Sequence, residues 1–169
     1  MTGLNGSRTE LRASATSTPS LWPDAKLTGV ELAEGMVSPA TRLNPDAIFL
    51  NAQAESIPLQ DECADIVLSS ISFHHWAGHE QGVRGGVRIL RPDGVFCLTD
   101  HTFRLTNITG ERARSRRYIR TLMEGAGIEI LLQGNAGRPF VAITVGRKQL
   151  VCAGHERRIN SPATRRFSA

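Results

Sequence analysis

The clearest structural signal in the sequence is the segment Ala64-Asp65-Ile66-Val67-Leu68-Ser69-Ser70. Its apolar residues run continuously instead of alternating with polar ones, which is typical of a strand in a parallel sheet that is covered on both faces. Because the two serines end the run, we expect Ser69 and Ser70 to emerge at the carboxyl edge of that sheet. The stretch therefore predicts an α/β protein with a buried central sheet.

Two shorter apolar segments precede this strand. Residues 26–32 predict a strand that ends in an acid, Glu31, and residues 47–50 predict a second strand. Between them we expect a short helix, with Ser38 as its N-cap and Pro39 at its first position.

The segments after the strand alternate between helical and strand patterns. In chain order they are a helix over 80–90, a strand over 95–100, a helix over 116–126 that stops at Gly127, and strands over 128–132 and 140–145. This alternation predicts a mostly parallel sheet. The last two strands are joined by a short glycine-rich loop, which predicts an antiparallel edge.

Composition and charge limit the classes of function. The chain has 169 residues, of which 40% are hydrophobic and 21% charged, as in an ordinary globular domain. No apolar run approaches the roughly 20 residues of a membrane span, and the first residues lack the apolar core of a secretion signal. Three widely spaced cysteines indicate reduced thiols. We therefore expect a cytoplasmic protein with no membrane partner.

The net charge of +4 is concentrated in two basic clusters. Their members are Arg112, Arg114, Arg116, Arg117 and Arg120, and then Arg147, Lys148, Arg157, Arg158, Arg165 and Arg166. A solvated helix face and a disordered tail explain both clusters, and few aromatic residues are available to stack on bases. We therefore expect no nucleic-acid partner. We divide the chain into a poorly ordered segment without a strand (1–21), a folded domain (22–147) and a basic, disordered tail (148–169).

Five segments of the chain, in their order and spacing, resemble class I S-adenosylmethionine-dependent methyltransferases of type 11. They are Thr28–Met36, Ala52–Leu59, Asp65–Ser70, Phe73–Trp76 and Arg88–Gly94. The resemblance spans roughly residues 22–147. It implies a Rossmann-like, mostly parallel sheet, S-adenosylmethionine as cofactor, and methyl transfer to a small-molecule acceptor.

The resemblance also implies a cofactor site at the carboxyl edge of the sheet. The residues it assigns to the cofactor are Glu31, Leu32, Met36, Gln53, Ala54, Ser69 and Ser70. A carboxylate at Glu31 suits the two ribose hydroxyls, because it can accept a hydrogen bond from each. Gln53 and the backbone N–H of Ala54 would meet the adenine, although the family more often carries Asp at this Gln position. The alternative interpretation of Glu31 is a solvated acid at a strand end.

The acceptor pocket is expected beside the cofactor, lined by His74, His75, Trp76 and His101. Packing at the strand end is an equal alternative for His74 and Trp76, as is capping for His101 and its neighbour Asp100. His75 and His79 stand four apart, but no cysteine or carboxylate completes a metal-binding spacing, so we expect no metal. Methyl transfer needs alignment more than acid–base chemistry, so no catalytic residue is assigned.

One feature of the family is missing from the sequence. The family's first strand ends in a Gly-rich loop roughly twenty residues before the acid, whereas Leu11–Ser20 contains no glycine. Either residues 1–21 form a substitute, or the first strand and its loop are absent through truncation or a disrupted reading frame, and we expect the second. Two strand edges would then be unpaired, and self-association would cover them.

Three other functions stay open for this sequence. The first is an inactive methyltransferase-like remnant that acts, if at all, through protein partners. The second is a nicotinamide-dependent oxidoreductase, which would also place an acid at Glu31 but requires GxGxxG upstream. The third is a nucleic-acid methyltransferase, which rests on the basic clusters alone.

Overall fold

The computed structural model describes residues 2–4, 25–101, 115–136 and 141–150. Their elements are β1 (Thr2–Leu4), β2 (Leu27–Glu31), α1 (Glu34–Leu43), β3 (Ile48–Asn51), β4 (Ala64–Ser70), α2 (His79–Ile89), β5 (Leu90–His101), α3 (Arg116–Gly125), β6 (Ile128–Asn135) and β7 (Val141–Lys148). A 3₁₀ turn follows β3 at Ala54–Ser56, and another follows β4 at Phe73–His75. Arg112, Arg114 and the predicted tail from 151 onward lie outside the described residues. No helix within the described ranges is long and apolar enough to cross a membrane.

The described strands form one sheet in the order β3-β2-β1-β4-β5-β7-β6. The pairs β2–β3 and β4–β5 are parallel, whereas β7 pairs antiparallel with both β5 and β6. The predicted mostly parallel sheet with an antiparallel carboxyl-terminal edge is thus confirmed. Because β2, β3 and β4 run in the same direction, their carboxyl ends meet at one edge of the sheet.

The strand β1 corrects the expectation that residues 1–21 hold no strand. Thr2–Leu4 lies between β2 and β4 and pairs antiparallel with both. Of these three residues only Thr2 has a strong strand propensity, and they adopt this conformation because β2 and β4 offer unpaired backbone groups on either side. Thr2 lies opposite Gly29 and Leu4 opposite Leu27. The chain therefore leaves β1 toward the edge opposite the carboxyl ends of β2 and β4.

Two predicted boundaries were also wrong. The helix α1 begins at Glu34, so Ser38 does not cap it and Pro39 lies inside it. Pro39 cannot donate the hydrogen bond that its position would make to the carbonyl of Gly35, so it weakens this helix. The strand β5 begins at Leu90 instead of Val95, and residues 91–94, which lie between the predicted helix and strand, form an irregularity within it, where Asp93 has a φ of 62°.

The larger hydrophobic core lies between the sheet and the helices α2 and α3. Val67, Phe73, Ile89 and Phe96 are fully buried there. A second, smaller cluster joins Leu27 and Ala47 near β2 and β3. By contrast, α1 contains no buried residue in the part of the chain that the structure describes. Among the described residues, fewer buried side chains therefore lie on the β2–β3 side of the sheet than on the β4–β5 side.

The glycines of α2 allow close packing against the carboxyl edge of the sheet. A Cβ at Gly85 would lie 2.6 Å from the backbone oxygen of Ala54, and one at Gly82 would overlap the ring of Trp76. From the last turn of the same helix, the Arg88 guanidinium donates to the carbonyls of Ile57 and Leu59, at 2.7 Å each. The helix therefore fixes the backbone that follows β3, even though its glycines lower its intrinsic helix propensity.

Candidate functional site

An open cleft of about 870 Å³ lies at the carboxyl ends of β2, β3 and β4. Clefts of roughly 300–1,000 Å³ are typical of small-molecule sites, and the carboxyl edge of an open sheet is where such ligands bind. Eight of the residues singled out from the sequence line this cleft: Glu31, Leu32, Met36, Gln53, Ala54, Ser70, His75 and Trp76. The fold thus brings together residues that are up to 45 positions apart in the chain.

Glu31 ends β2 at the mouth of the cleft. Its Oε1 accepts a hydrogen bond of 2.9 Å from the backbone N–H of Ala33, which holds the start of α1. Among the described residues, the structure gives its second carboxylate oxygen no hydrogen-bond partner. The side chain is therefore fixed by one oxygen and has the other available to accept from a ligand.

Asn51 holds the backbone of this strand end, and sequence reasoning missed it. Its Nδ2 donates to the carbonyls of Glu31 and Leu32, at 2.9 Å each. The N–H of Ala52 adds a bond of 3.1 Å to the same Glu31 carbonyl. Asn51 lies opposite Glu31 in the β2–β3 register, which is why its amide reaches both carbonyls. The sequence feature that could have identified Asn51 is its position at the end of β3, the strand paired with the one that ends in Glu31.

The segment after β3 forms one wall of the cleft. Gln53 is exposed, and Ala54 begins the 3₁₀ turn, so its N–H has no partner within that turn. The next residue, Glu55, accepts a bond of 2.7 Å from the N–H of Gly78, which ties the turn to the start of α2. The exposed amide of Gln53 and the backbone N–H of Ala54 therefore lie on a wall that the bond between Glu55 and Gly78 holds in place.

The opposite wall is apolar. Leu32 and Met36 line the cleft and are 58% and 57% exposed, and Leu43 at the end of α1 is 72% exposed. Single exposed apolar side chains are common on protein surfaces, whereas several that converge on a concave surface are typical of a binding site. The cleft therefore combines an apolar wall with a few polar groups.

The loop after β4 closes the cleft from the other side. Ser70 lines it, whereas Ser69 is fully buried and its Oγ lies 2.9 Å from the Oγ of Ser72. Ile71 also lines the cleft, with a φ of 49° that is rare for a β-branched residue. Its N–H donates to the carbonyl of Thr99 at 2.9 Å, which holds the strained backbone in place. Strain of this kind is common at functional sites.

Asp100, at the end of β5, is fully buried and accepts three hydrogen bonds. Its partners are the backbone N–H of His74 (2.7 Å), the Nδ1 of His74 (2.8 Å) and the backbone N–H of His101 (2.6 Å). His74 and His101 do not line the cleft, although the ring of His74 lies 3.9 Å, centroid to centroid, from that of His75, which does. Asp100 therefore holds the turn at Phe73–His75 in place beside the cleft, in line with the capping alternative.

An aromatic cluster supports this turn from below. Phe73 is fully buried and stacks on His79, with 4.3 Å between the ring centroids. It also makes an edge contact with Trp76, with 5.0 Å between the centroids. The Nδ1 of His79 forms a hydrogen bond of 3.1 Å with the hydroxyl of Tyr118. Trp76 therefore both packs against the core and lines the cleft. His79 belongs to this cluster and not to a set of ligands with His75. Within the described ranges, no three or more His, Cys, Asp or Glu residues are grouped to hold a metal ion.

The comparisons with known proteins agree with this geometry. The model of the family described as "Methyltransferase domain" matches residues 11–98, which is more than half of the chain. The chain is 38% identical over 53 residues to an uncharacterized methyltransferase, YcgJ of Bacillus subtilis, and the match covers 31% of this chain and 21% of YcgJ. It is 31% identical over 78 residues to a demethylmenaquinone methyltransferase of Chlorobaculum tepidum, which covers 46% of this chain and 32% of that protein. The matched parts are thus about a fifth and a third of these relatives.

A solved structure extends the likeness to the whole fold. The SAM-dependent methyltransferase from Aquifex aeolicus has a TM-score of 0.70 at 19% identity, covering 86% of this chain and 85% of that one. At this identity the likeness concerns the fold, which is that of Rossmann-like methyltransferases. With the family match over residues 11–98, these findings show that the chain belongs to the class I S-adenosylmethionine-dependent methyltransferases.

Proposed function

We propose that the cleft binds S-adenosylmethionine and that the protein transfers its methyl group to a small-molecule acceptor. The observation that carries the proposal is the carboxylate of Glu31, which lies at the carboxyl end of β2 with one oxygen unpartnered among the described residues. A carboxylate in that position suits a vicinal diol such as the ribose of the cofactor.

The chemistry of the cleft fits the remaining parts of this cofactor. Gln53 and the N–H of Ala54 offer hydrogen-bonding groups for the adenine edge, and Leu32 and Met36 offer an apolar surface for the ring. Ser70 and the strained Ile71 lie across the cleft from that wall. The volume of about 870 Å³ accommodates a nucleoside joined to an amino acid.

The bound cofactor would supply an electrophilic methyl group on a sulfonium. The chain's own contribution is to bind and orient: Glu31 fixes the ribose, and Asn51 and Ala33 fix Glu31. The turn at Phe73–His75 and the side chain of Trp76 would then position the acceptor beside the methyl group. Alignment of this kind can supply a large part of the rate enhancement in a direct displacement.

A small molecule is the acceptor that best suits the cleft. One relative, the demethylmenaquinone methyltransferase, carries a small-molecule acceptor in its name. The cleft is lined by side chains from four segments and has a volume typical of small-molecule sites, which fits a small acceptor better than a polymer.

Isothermal titration calorimetry with S-adenosylmethionine and S-adenosylhomocysteine tests the proposal. We expect micromolar binding by the wild-type chain. Glu31→Gln keeps an oxygen for the N–H of Ala33 but removes the charge, so it should weaken binding by about tenfold or more. Glu34→Gln is the matched control: Glu34 lies three residues later, is exposed and is not among the lining residues, so its substitution should change the affinity less than twofold.

A chain that is folded by circular dichroism but binds neither compound would overturn the proposal and favour the inactive remnant. Equal weakening by Glu31→Gln and Glu34→Gln would also contradict it, because the effect would then reflect general charge and not the ribose contact. Binding of a nicotinamide dinucleotide in place of both compounds would favour the oxidoreductase.

A further inference from the structure

The segment between β3 and β4 is fixed to α2 at both ends of that helix. Just before the helix begins, the N–H of Gly78 donates to the carboxylate of Glu55 at 2.7 Å. From the last turn, the guanidinium of Arg88 donates to the carbonyls of Ile57 and Leu59, at 2.7 Å each. The N–H groups of a guanidinium have fixed directions, so these two bonds also fix the positions of the two carbonyls.

The bonds to the carbonyls are the main contacts of the Arg88 side chain. Its third contact is an ion pair of 2.5 Å with Asp61, whose side chain is 72% exposed, so solvent screens this pair and it contributes little. The Arg88 side chain is only 37% exposed, and hydrogen bonds from a charged donor are stronger than those between neutral groups. Arg88 therefore acts mainly on the backbone that follows the 3₁₀ turn.

This backbone carries a donor that lines the cleft. Ala54 is buried, and the part of the chain that the structure describes offers its N–H no hydrogen-bond partner. The backbone has little room to move away from α2, since a Cβ at Gly85 would lie 2.6 Å from the Ala54 oxygen. A buried N–H without a partner costs free energy, so a ligand that accepts from it gains affinity.

The side chain of Gln53 cannot select between purines in the way that this backbone can. It is exposed, and its amide makes no hydrogen bond within the described ranges, so the amide can turn about its last bond. One orientation accepts from a 6-amino group and the other donates to a 6-oxo group. The N–H of Ala54 can only donate, whereas the ring nitrogen N1 accepts in adenine and carries a proton in hypoxanthine. Selection between these two bases therefore depends on the Ala54 backbone.

We propose that Arg88 is a positioning residue for adenine selection. By holding the carbonyls of Ile57 and Leu59, it keeps the Ala54 N–H in place to donate to N1 of the base, so that the protein rejects a cofactor whose base carries a proton there. The proposal rests on the proposed function. Arg88 is not among the residues that line the cleft, so it acts only through the backbone.

The test compares two ligands that differ only at the base, S-adenosylhomocysteine and S-inosylhomocysteine, by calorimetry on the full chain. A buried donor left unpaired weakens binding by about 5–150-fold, so we expect the wild type to prefer the adenosine compound by about 20-fold or more. Arg88→Met keeps the apolar part of the side chain and removes its donors, and it should reduce this preference by about fivefold or more. An arginine with a merely structural role would change both affinities by the same factor.

Arg91→Met is the matched control. The Arg91 side chain is also 37% exposed, and it forms an ion pair of 2.7 Å with Asp65. That pair lies at the start of β4, at the edge of the sheet opposite the cleft. Arg91→Met should therefore lower Tm as Arg88→Met does, while the preference for the adenosine compound changes by less than about twofold.

A preference that Arg88→Met leaves within about twofold of wild type would overturn the proposal. If Arg88→Met is unfolded by circular dichroism, Arg88→Lys decides. An ammonium group does not reproduce the fixed fork that holds both carbonyls, so the preference should fall by about twofold or more, and an unchanged preference would contradict the role of Arg88.

Failure of this proposal is distinguishable from failure of the proposed function. A wild-type chain that binds both compounds with equal affinity would overturn the role of the Ala54 backbone and of Arg88, and would leave the cofactor site standing. A folded wild-type chain that binds neither compound would overturn the proposed function, and this proposal with it.

Discussion

Gly85→Ala should destabilise the protein even though it replaces a helical glycine with the best helix former. In an exposed helix interior the change would stabilise by about 1 kcal/mol. Here the new Cβ would lie 2.6 Å from the backbone oxygen of Ala54, far inside the 3.4 Å at which ordinary contact begins. Overpacking of this kind costs about 1–3 kcal/mol, and the buried Ala54 backbone cannot rotate away as a side chain can. Because 2.6 Å is below the 3.0 Å that Cβ contacts essentially never reach, the cost lies in the upper part of that range, and after the gain of about 1 kcal/mol in helix propensity we expect a net loss of about 1–2 kcal/mol.

The assay is thermal unfolding followed by circular dichroism, with Gly125→Ala as the matched control. Gly125 is the last residue of α3, and a Cβ there would meet nothing within 4 Å. At this chain length 1 kcal/mol corresponds to about 2–4 °C, so Gly85→Ala should lower Tm by about 2–8 °C, whereas Gly125→Ala should raise it slightly. If Gly85→Ala raised Tm as much as Gly125→Ala does, the close approach between α2 and the wall of the cleft would be refuted.

Three further substitutions or treatments have definite expected outcomes. Gly146→Ala should lower the free energy of unfolding in chemical denaturation by about 1–3 kcal/mol, because a Cβ there would lie 2.7 Å from the carbonyl oxygen of Glu129 and overlap Ile128. Gly134→Ala is the control: its Cβ would meet nothing within 4 Å, so the free energy of unfolding should change by less than about 0.5 kcal/mol. Asn51→Leu should weaken S-adenosylmethionine binding in calorimetry by about 5–20-fold, since two carbonyls lose their donor and Glu31 loses its support; an unchanged affinity would remove Asn51 from the site. Burial raises the pKa of the Cys97 thiol to about 11, against 9.0 for a free thiol. At pH 8 Cys97 should therefore carry roughly 100-fold less thiolate in the folded protein than after unfolding in urea, and it should react with iodoacetamide correspondingly more slowly. Equal rates at Cys97 in the folded and unfolded protein would show that the thiol is not buried.

The parts of the fold that local patterns encode could be predicted from the sequence. The apolar run over β4 has the same bounds in the structure, and Gly127 ends its helix with a φ of 88°. The acid of Glu31 lies at the end of its strand and lines the cleft, as expected. These features depend on a few neighbouring residues, so the pattern alone is sufficient.

Other features depend on partners that are distant in the chain. Thr2–Leu4 becomes a strand only because β2 and β4 flank it, and Asn51 supports Glu31 only through the β2–β3 register. The different places of Ser69 and Ser70, by contrast, could have been predicted. Successive residues of a strand point to opposite faces of the sheet, so neighbouring serines do not share an environment.

The short antiparallel β1 has a consequence for how the protein opens. It joins β2 to β4 through three residues, and within the described ranges β2 and β3 contribute one residue, Val30, to the larger core beside the small cluster around Leu27 and Ala47. We expect this side to behave as a separate cooperative unit, whose amide hydrogens exchange with solvent faster than those of β4 and β5. Because Glu31 stands on one side of the junction and Ser70 on the other, a ligand in the cleft would bridge the two units. A ligand bound in the cleft would thus slow amide exchange most in β2 and β3. The two sides of the sheet would then unfold more cooperatively than the short β1 alone allows.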